Sequence, residues 1–395
     1  MTPSAFFWLL PGASPSTTPL GLALAEACKG VGRTRPNPPV GCVVVDDDGA
    51  VLGRGFHARA GERHAEVVAL DDVAARFGAG AARGKTLVVT LEPCTHHGRT
   101  PPCVDRVLRE GVRRVVVGAL DPNPKVDGTG VARLRAAGVD VVVADEDTER
   151  AAVRSLVDVG DGAHCRALLL PFASFMTRKR PWVVVKTATS LDGRVATRTG
   201  ASRFITGRES RALVHALRDA VDAVVVGAST ALHDDPALTV RDAPPRPVAP
   251  RDPGRVLLDR RLEVPATAKL FTPPGALVFH DPGVRPEPRP GIEHVGQGTQ
   301  LDVVLDELGR RGVLAVLVEA GPRLAAAALQ AAVVDELWWF HAPIVLGEDG
   351  VPAVRELGVD EISDGPRFVP VHRVAIEDDT LTVLRRESVA AHTTP

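Results

Sequence analysis

From Thr86 to Ala144 short aliphatic runs alternate with helical stretches, and such an alternation closes only as a parallel sheet with helices on its faces. Strands are expected at Thr86–Leu91, Val112–Leu120 and Val139–Ala144, and helices at Cys103–Glu110 and Val131–Ala137. Pro102 just ahead of the first helix is a start signal and Gly111 a stop. Upstream, Val40–Val45 and Val51–Gly55 flank Asp46-Asp47-Asp48-Gly49, which predicts a hairpin. Leu20–Cys28 and His64–Phe77 read as helices. A hairpin feeding a βαβαβ run is a compact domain ending near Asp145.

A second α/β run follows. Trp182–Lys186, Val221–Gly227, Val256–Asp259 and Val313–Val318 read as strands, and Leu301–Arg310 and Arg323–Ala331 as helices. Thr206 with Glu209 predicts a capping box for a helix through Arg218. Val371–Glu377 and Thr380–Leu384 form a closing hairpin. The chain of 395 residues is long enough for two cores. The expected division is a disordered extension over 1–19, a first domain over 20–147, a linker over 148–180 and a second domain over 181–388. Since Glu146–Arg180 carries no clear sheet-forming run, neither core should need it, and fragments ending near Asp147 or beginning near Thr177 should fold and work alone.

A formal net charge of −2 argues against a general nucleic-acid or membrane-surface binder. Five cysteines, an odd count without a disulfide-like framework, point to a reducing compartment and to metal or catalytic use. The apolar run Ala5–Leu10 is too short to span a bilayer and has no basic flank, so a cytoplasmic protein is expected.

Three features of the first domain converge: His64-Ala65-Glu66, Pro93-Cys94 and Cys103. One imidazole and two thiolates would hold zinc and leave a position for water, and a carboxylate two residues from the histidine reaches that water without ligating the metal. The usual deaminase signature closes with a second cysteine three positions after the first; here it comes nine positions on, across Thr95–Pro102. Pro101-Pro102 would start a helix that returns Cys103 to the metal. Two readings compete: ordinary buried cysteines beside a surface histidine, and a closed structural zinc completed by His96 or His97.

The stretches Pro36–Cys42, His57–Glu66, Thr90–Cys103 and Asp121-Pro122-Asn123-Pro124 resemble the bifunctional deaminase–reductase family of riboflavin biosynthesis, with the long Cys94–Cys103 loop as the distinguishing element. The resemblance implies a cytidine-deaminase-like α/β/α domain in which His64, Cys94 and Cys103 hold Zn2+ and Glu66 shuttles the proton. It places Asn37, His57, His96, Asp121 and Asn123 around the pyrimidine and ribose. Asn37 sits in a proline-flanked turn, and Asp121–Pro124 follows a strand's C-terminal end, where α/β sites open.

In the second domain Val318–Pro322 ends a strand and opens a helix, a junction where Gly321 admits a ligand's backbone approach and the helix start offers N–H groups to phosphate. Alone it is an ordinary strand–helix connection. Val185–Arg194, Ser202–Thr206, Gly227–Arg241 and Glu319–Pro322 resemble the reductase half of the same family, which is similar to dihydrofolate reductase in fold and uses NADPH. The resemblance implies that Ala188, Phe204, Thr230, Asp234, Gly321, Pro322, Arg323, Leu324, Ala325, Ala326 and Ala327 touch NADPH. Ser202, Arg218, Leu238, Arg241 and Glu319 would touch substrate, and Lys186 and Glu319 would handle protons. Arginine forks suit a sugar phosphate, although Arg218 also fits as a helix-end charge. Two positions depart from the family pattern: Leu169 stands for an asparagine of the linker, and Arg260 for a small polar cofactor contact.

These readings amount to an enzyme that releases ammonia from 2,5-diamino-6-ribosylamino-4(3H)-pyrimidinone 5′-phosphate and then reduces the ribosyl group to ribityl. Its partner is a small molecule, with no nucleic acid or membrane, and a homo-oligomer is expected. The rivals are a paralogous aminopyrimidine deaminase of a secondary pathway whose C-terminal domain is a non-catalytic binding module, and a nucleic-acid editor. Charge balance and the lack of a basic aromatic stretch weigh against the editor.

Overall fold

The computed structural model describes residues 3–12, 15–95, 101–124, 126–144, 155–158, 160–203, 205–244 and 246–387. Two compact units emerge, one of residues 1–178 with 246–248 and one of residues 179–245 with 249–395.

The first unit opens with α1 (Pro19–Gly30), where the Thr18 hydroxyl accepts from the Gly21 N–H and Pro19 occupies the first turn. The hairpin β1 (Gly41–Val45) and β2 (Val51–Phe56) closes over Asp46, whose carboxylate accepts from the N–H groups of Asp48 and Ala50. Then come α2 (Ala65–Phe77), β3 (Thr86–Val89), α3 (Cys103–Glu110), β4 (Arg114–Val117), α4 (Thr129–Ala136), β5 (Asp140–Val143) and α5 (Asp161–Arg178). The sheet order is β2-β1-β3-β4-β5, antiparallel through β3 and parallel beyond it. Its central strands are valine-rich and buried on both faces, so helices must cover both. Apolar residues of α2, α3 and α4 form one cluster with Cys42, Val44, Leu87, Val89, Val115 and Val117. α1 lies on the opposite face.

Glycines decide how near those helices come. A Cβ on Gly41 would stand 2.0 Å from the Ala23 carbonyl of α1. On Gly53 and Gly55 it would stand 2.5 Å from the carbonyls of Ala69 and Ala65 of α2. Each neighbour is backbone, which cannot turn aside as a side chain can.

Two expectations need correction. Residues 3–12 are not a disordered arm: they include the short 3-10 helix Phe7–Leu9, and Phe6, Phe7 and Leu10 are buried. The join over 148–180 is not a bare linker either, because α5 belongs to the first unit with Cys165, Leu168, Leu169 and Phe172 buried. Asp161 at the start of α5 accepts from Ser16 and Thr18, so one carboxylate ties this helix to the N-cap of α1. Leu169, the departure from the family pattern, is part of that packing.

The second unit comprises β6 (Trp182–Thr189), β7 (Arg194–Ala196), α6 (Arg208–Ala220), β8 (Ala223–Gly227), α7 (Ala228–Asp234), β9 (Gly254–Leu258), β10 (Ala276–Phe279), β11 (Ile292–Val295), α8 (Leu301–Arg310), β12 (Ala315–Glu319), α9 (Pro322–Gln330), β13 (Glu336–His341), β14 (Val351–Pro352), β15 (Phe368–Ile376) and β16 (Asp379–Arg386). Nine strands order as β11-β10-β9-β8-β12-β6-β13-β16-β15, with β14 and β7 pairing separately. Pairing is parallel from β11 to β13 and antiparallel across β16 and β15. The expected Thr206–Glu209 capping box is replaced by a remote cap. Gly207 is the N-cap of α6, and Asp379 of the closing hairpin accepts from its N–H at 2.7 Å and from the Ser210 hydroxyl at 2.6 Å. Among the described residues no helix is long and apolar enough to cross a membrane.

The substitution Gly55→Ala forces α2 away from β2. Overpacking of this kind costs about 1–3 kcal/mol, so the urea midpoint of the first unit should fall and zinc retention with it. An unchanged midpoint would show that α2 yields without cost.

Candidate active sites

In the first unit His64 is the N-cap residue of α2 and Glu66 lies in its first turn. Cys94 follows β3, and Cys103 opens α3 behind Pro102. These elements bring three ligand atoms within 4.8 Å of one another. His64 Nδ1 lies 3.2 Å from Cys103 Sγ and 3.6 Å from Cys94 Sγ. Tetrahedral zinc at ordinary Zn–N and Zn–S lengths separates nitrogen from sulfur by about 3.6 Å, so the set fits the metal. A closed site would need His96 or His97, which lie outside the described residues, as does the substrate role expected of His96.

The protons of this cluster follow from burial and mutual contact. The hydrogen bond with Cys103 pulls the Cys94 thiol down to about 4, whereas the same bond, together with burial, drives Cys103 far up. His64 is raised, chiefly by its hydrogen bond with Cys94. Glu66 is 3% exposed, and burial, helped by the charge on Cys94, pushes its carboxyl up to about 7.

A cavity of about 530 Å3 opens over this cluster, lined among others by Asn37, His57, Glu66, Asp121 and Asn123. Asn37 Nδ2 meets His57 Nε2 at 3.1 Å, and His57 Nδ1 meets the Arg63 carbonyl at 3.2 Å. Burial holds His57 below the usual histidine range. Asp121 turns back to accept from the Asn123 N–H at 2.9 Å.

A reading by motif misses residues that act through position alone. Glu92, buried in the same wall, accepts from the backbone N–H groups of Asp121, Gly128, Gly130 and Val131 at 2.6–3.2 Å. One carboxylate thus fixes both the Asp121 loop and the first turn of α4. Gly130 makes room for it, since a Cβ there would stand 2.2 Å from the Pro93 carbonyl. The local signal, a glutamate before Pro93-Cys94, says nothing of these distant donors.

In the second unit two of the expected residues lie side by side on neighbouring parallel strands. Lys186 on β6 stands in register with Glu319 on β12. Arg218 donates to both oxygens of Glu319, at 2.5 and 2.8 Å, and to the Thr239 carbonyl at 3.0 Å. Arg218, expected at the substrate, is thus a buried guanidinium engaged by a carboxylate and a carbonyl. Burial opposes the charge on Glu319, but Arg218 and Lys186 outweigh it and hold the group below its ordinary value. Lys186 is lowered, chiefly by burial, with Glu319 acting against the shift. Arg241 is exposed and its backbone N–H meets His215 Nδ1 at 3.3 Å. His215, another residue the motifs missed, is buried on α6 and held down by burial and by Arg218 and Arg241.

The cofactor candidates divide. Thr230 and Gly321 face each other closely, a Cβ on Gly321 standing 3.0 Å from Thr230 Oγ1. Ala188, Pro322 and Leu324 are half-buried, Asp234, Arg323 and Ala327 exposed, whereas Ala325 and Ala326 are buried and turn their side chains into the core. Phe204 lies outside the described residues. Ser202 reaches Asp234 at 3.4 Å. Leu238 is 1% exposed with φ 55°, and Asp235 has φ 39°. A ligand would therefore meet the Leu238 backbone, in a loop held in a left-handed conformation that L-residues avoid. The Arg260 guanidinium is mostly exposed, 3.5 Å from Asp281.

Comparison with known proteins bears on both units. Residues 17–119 match the family model of the cytidine and deoxycytidylate deaminase zinc-binding region, and residues 181–382 match that of the RibD C-terminal domain. The riboflavin biosynthesis protein RibD of Aquifex aeolicus is 40% identical over 351 residues, 87% of this chain and 90% of that one. The Escherichia coli protein of the same name is 38% identical, over 88% and 92%. A crystal structure of a diaminohydroxyphosphoribosylaminopyrimidine deaminase/5-amino-6-(5-phosphoribosylamino)uracil reductase from Thermotoga maritima superposes with a TM-score of 0.79 at 34% identity, covering 93% of this chain and 97% of that one. Acinetobacter baumannii RibD, form 1, superposes at 0.78 and 34% identity, covering 94% and 98%.

Glu92→Ala should leave the zinc ligands in place but strand buried N–H groups. A loss of about 2–4 kcal/mol is expected in the first unit's urea unfolding, with a raised KM for deamination as the Asp121 loop loosens. Stability and KM both unchanged would remove Glu92 from the site's framework.

Proposed function

The chain belongs to the RibD family and is a bifunctional enzyme of riboflavin biosynthesis, a zinc-dependent deaminase joined to an NADPH-dependent reductase, and on that premise we propose which residues carry each step. The first unit hydrolyses the 2-amino group of 2,5-diamino-6-ribosylamino-4(3H)-pyrimidinone 5′-phosphate and releases ammonia. His64, Cys94 and Cys103 hold zinc, which when bound supplies a Lewis acid that acidifies water. Glu66 takes the proton of the attacking water and hands it to the departing amine. Asn37, His57, Asp121 and Asn123, with His96, hold the pyrimidine and ribose. The observation that carries this reading is the three-ligand set within 4.8 Å beneath a polar-lined cavity, with Glu66 buried beside it.

In the second unit the close pair Thr230 and Gly321 would help hold NADPH, which when bound would be the hydride source for C1′ of the opened sugar. Lys186 gives a proton to O4′ as the C1′–O4′ bond breaks. Glu319, kept ionised by Arg218, holds Lys186 charged until then, so it orients the proton donor and is not one itself. Arg241 takes the 5′-phosphate, and Ser202 and the Leu238 backbone bound the sugar. The enzyme acts on a small molecule; that it works in the cytoplasm, as a homo-oligomer and without nucleic acid belongs to the same proposal. Supplying the diaminopyrimidine phosphate with NADPH and following ammonia and NADPH oxidation together tests it. Ammonia without oxidation would reduce the second unit to a binding module.

Cys94→Ala and Cys103→Ala should each lose zinc on purification. Glu66→Gln should keep it and lose deamination by roughly 100-fold to 10,000-fold; near-normal ammonia release from that variant would exclude the shuttle.

The two arginines should part company. Arg241→Ala raises KM for the phosphorylated substrate by about 1.5–3 kcal/mol in free energy and spares a dephosphorylated one. Arg218→Ala strands a buried carboxylate and should cost about 3–5 kcal/mol of stability, read as a fall in the reductase unit's Tm. Equal behaviour of the two variants would contradict the division.

A further inference from the structure

α5 does more than join the units. Its residues Phe172, Phe175 and Met176, spaced i, i+3 and i+4, lie on one helical face and line the same cavity as Asn37, His57 and Glu66. The other face is seated firmly. Asp161 holds the helix start to Ser16 and Thr18, and Cys165 Sγ would stand only 2.4 Å from a Cβ on Gly118. Gly118 directly follows β4 and leads into the Asp121 loop of the same site. The helix therefore sits at a fixed height over the strand ends.

The cavity needs such a wall. A pyrimidine has a polar rim and two flat, weakly hydrated faces. Asn37 and His57 can hydrogen-bond only its rim, whereas apolar side chains remove a face from water. We propose that Phe172, Phe175 and Met176 of α5 are the specificity wall of the deaminase site, holding the face of the aminopyrimidine ring while the rim is read opposite. The proposal rests on the deaminase reading above. It also means that a fragment ending near Asp147 lacks part of its substrate site even where its zinc ligands are complete.

The test uses the full-length zinc enzyme with Phe175→Ala, Met176→Ala and the conservative Phe175→Leu and Met176→Leu. Deamination kcat and KM, zinc content and reduction of the already deaminated substrate are measured for each. The alanine variants should raise the deamination KM by roughly 10-fold to 100-fold, with kcat, zinc and reductase turnover held and the leucine variants partly restored. A KM equal to that of the unaltered enzyme overturns the wall. So does loss of zinc in every variant, conservative ones included, because the face would then be core. If the unaltered enzyme releases no ammonia, the deaminase reading falls first; if it does and the variants match it, the wall alone falls.

Discussion

The first active site depends on how closely one helix can approach one strand. α2 carries both His64 and Glu66 at its start, and it lies over β2 with Gly55 beneath that start and Gly53 beneath its middle. Any side chain there would meet backbone, so the distance is set by the absence of a Cβ and not by adjustable packing. The helix then presents an imidazole and a carboxylate at one height, to which Cys94 and Cys103 are delivered from β3 and α3. Glu92 fixes the opposite wall with a single buried carboxylate.

The second site is governed by charge rather than contact. Lys186, Arg218 and Glu319 share a largely dry space, where an isolated charge is costly. Two cations and one carboxylate cannot all be placed at will: the bidentate Arg218–Glu319 pair settles one cation and leaves Lys186 lowered but still facing a negative neighbour. Arg241 stands outside this group, exposed, with its backbone N–H meeting His215 Nδ1. The two arginines thus differ in burial, Arg218 enclosed and Arg241 exposed.

Much of this was legible in the sequence where the signal is local. α3 spans Cys103–Glu110 as expected because Pro102 and Gly111 bracket it, and α8 likewise runs from Leu301 to Arg310. The cluster of His64, Cys94 and Cys103 was legible because its chemistry is unusual. What escaped was whatever depends on remote partners. α5 is apolar on two faces, one toward the core and one toward the cavity, and contains Pro171, so it shows no simple amphipathic period. Arg218 and Glu319 lie 101 positions apart, and Asp379 caps α6 from 169 positions beyond Ser210. β13, with the run Glu336–His341, was overlooked although it is central, because two tryptophans among mixed residues do not alternate.

The place of β6 also shapes how the chain comes into being. It is the strand that opens the second unit, yet it lies between β12 and β13, which are made long afterwards. The sheet of the first unit is finished by β5 and its last helix by Arg178, with only residues 246–248 still to come, so most of that half can fold while translation continues. β6 then emerges with both edges bare, and parallel pairing of distant segments is slow. A nascent chain stalled between Thr189 and Ala315 would carry a largely finished deaminase followed by an unpaired valine-rich strand. Slow passage through this interval would lengthen the time that strand stands without partners.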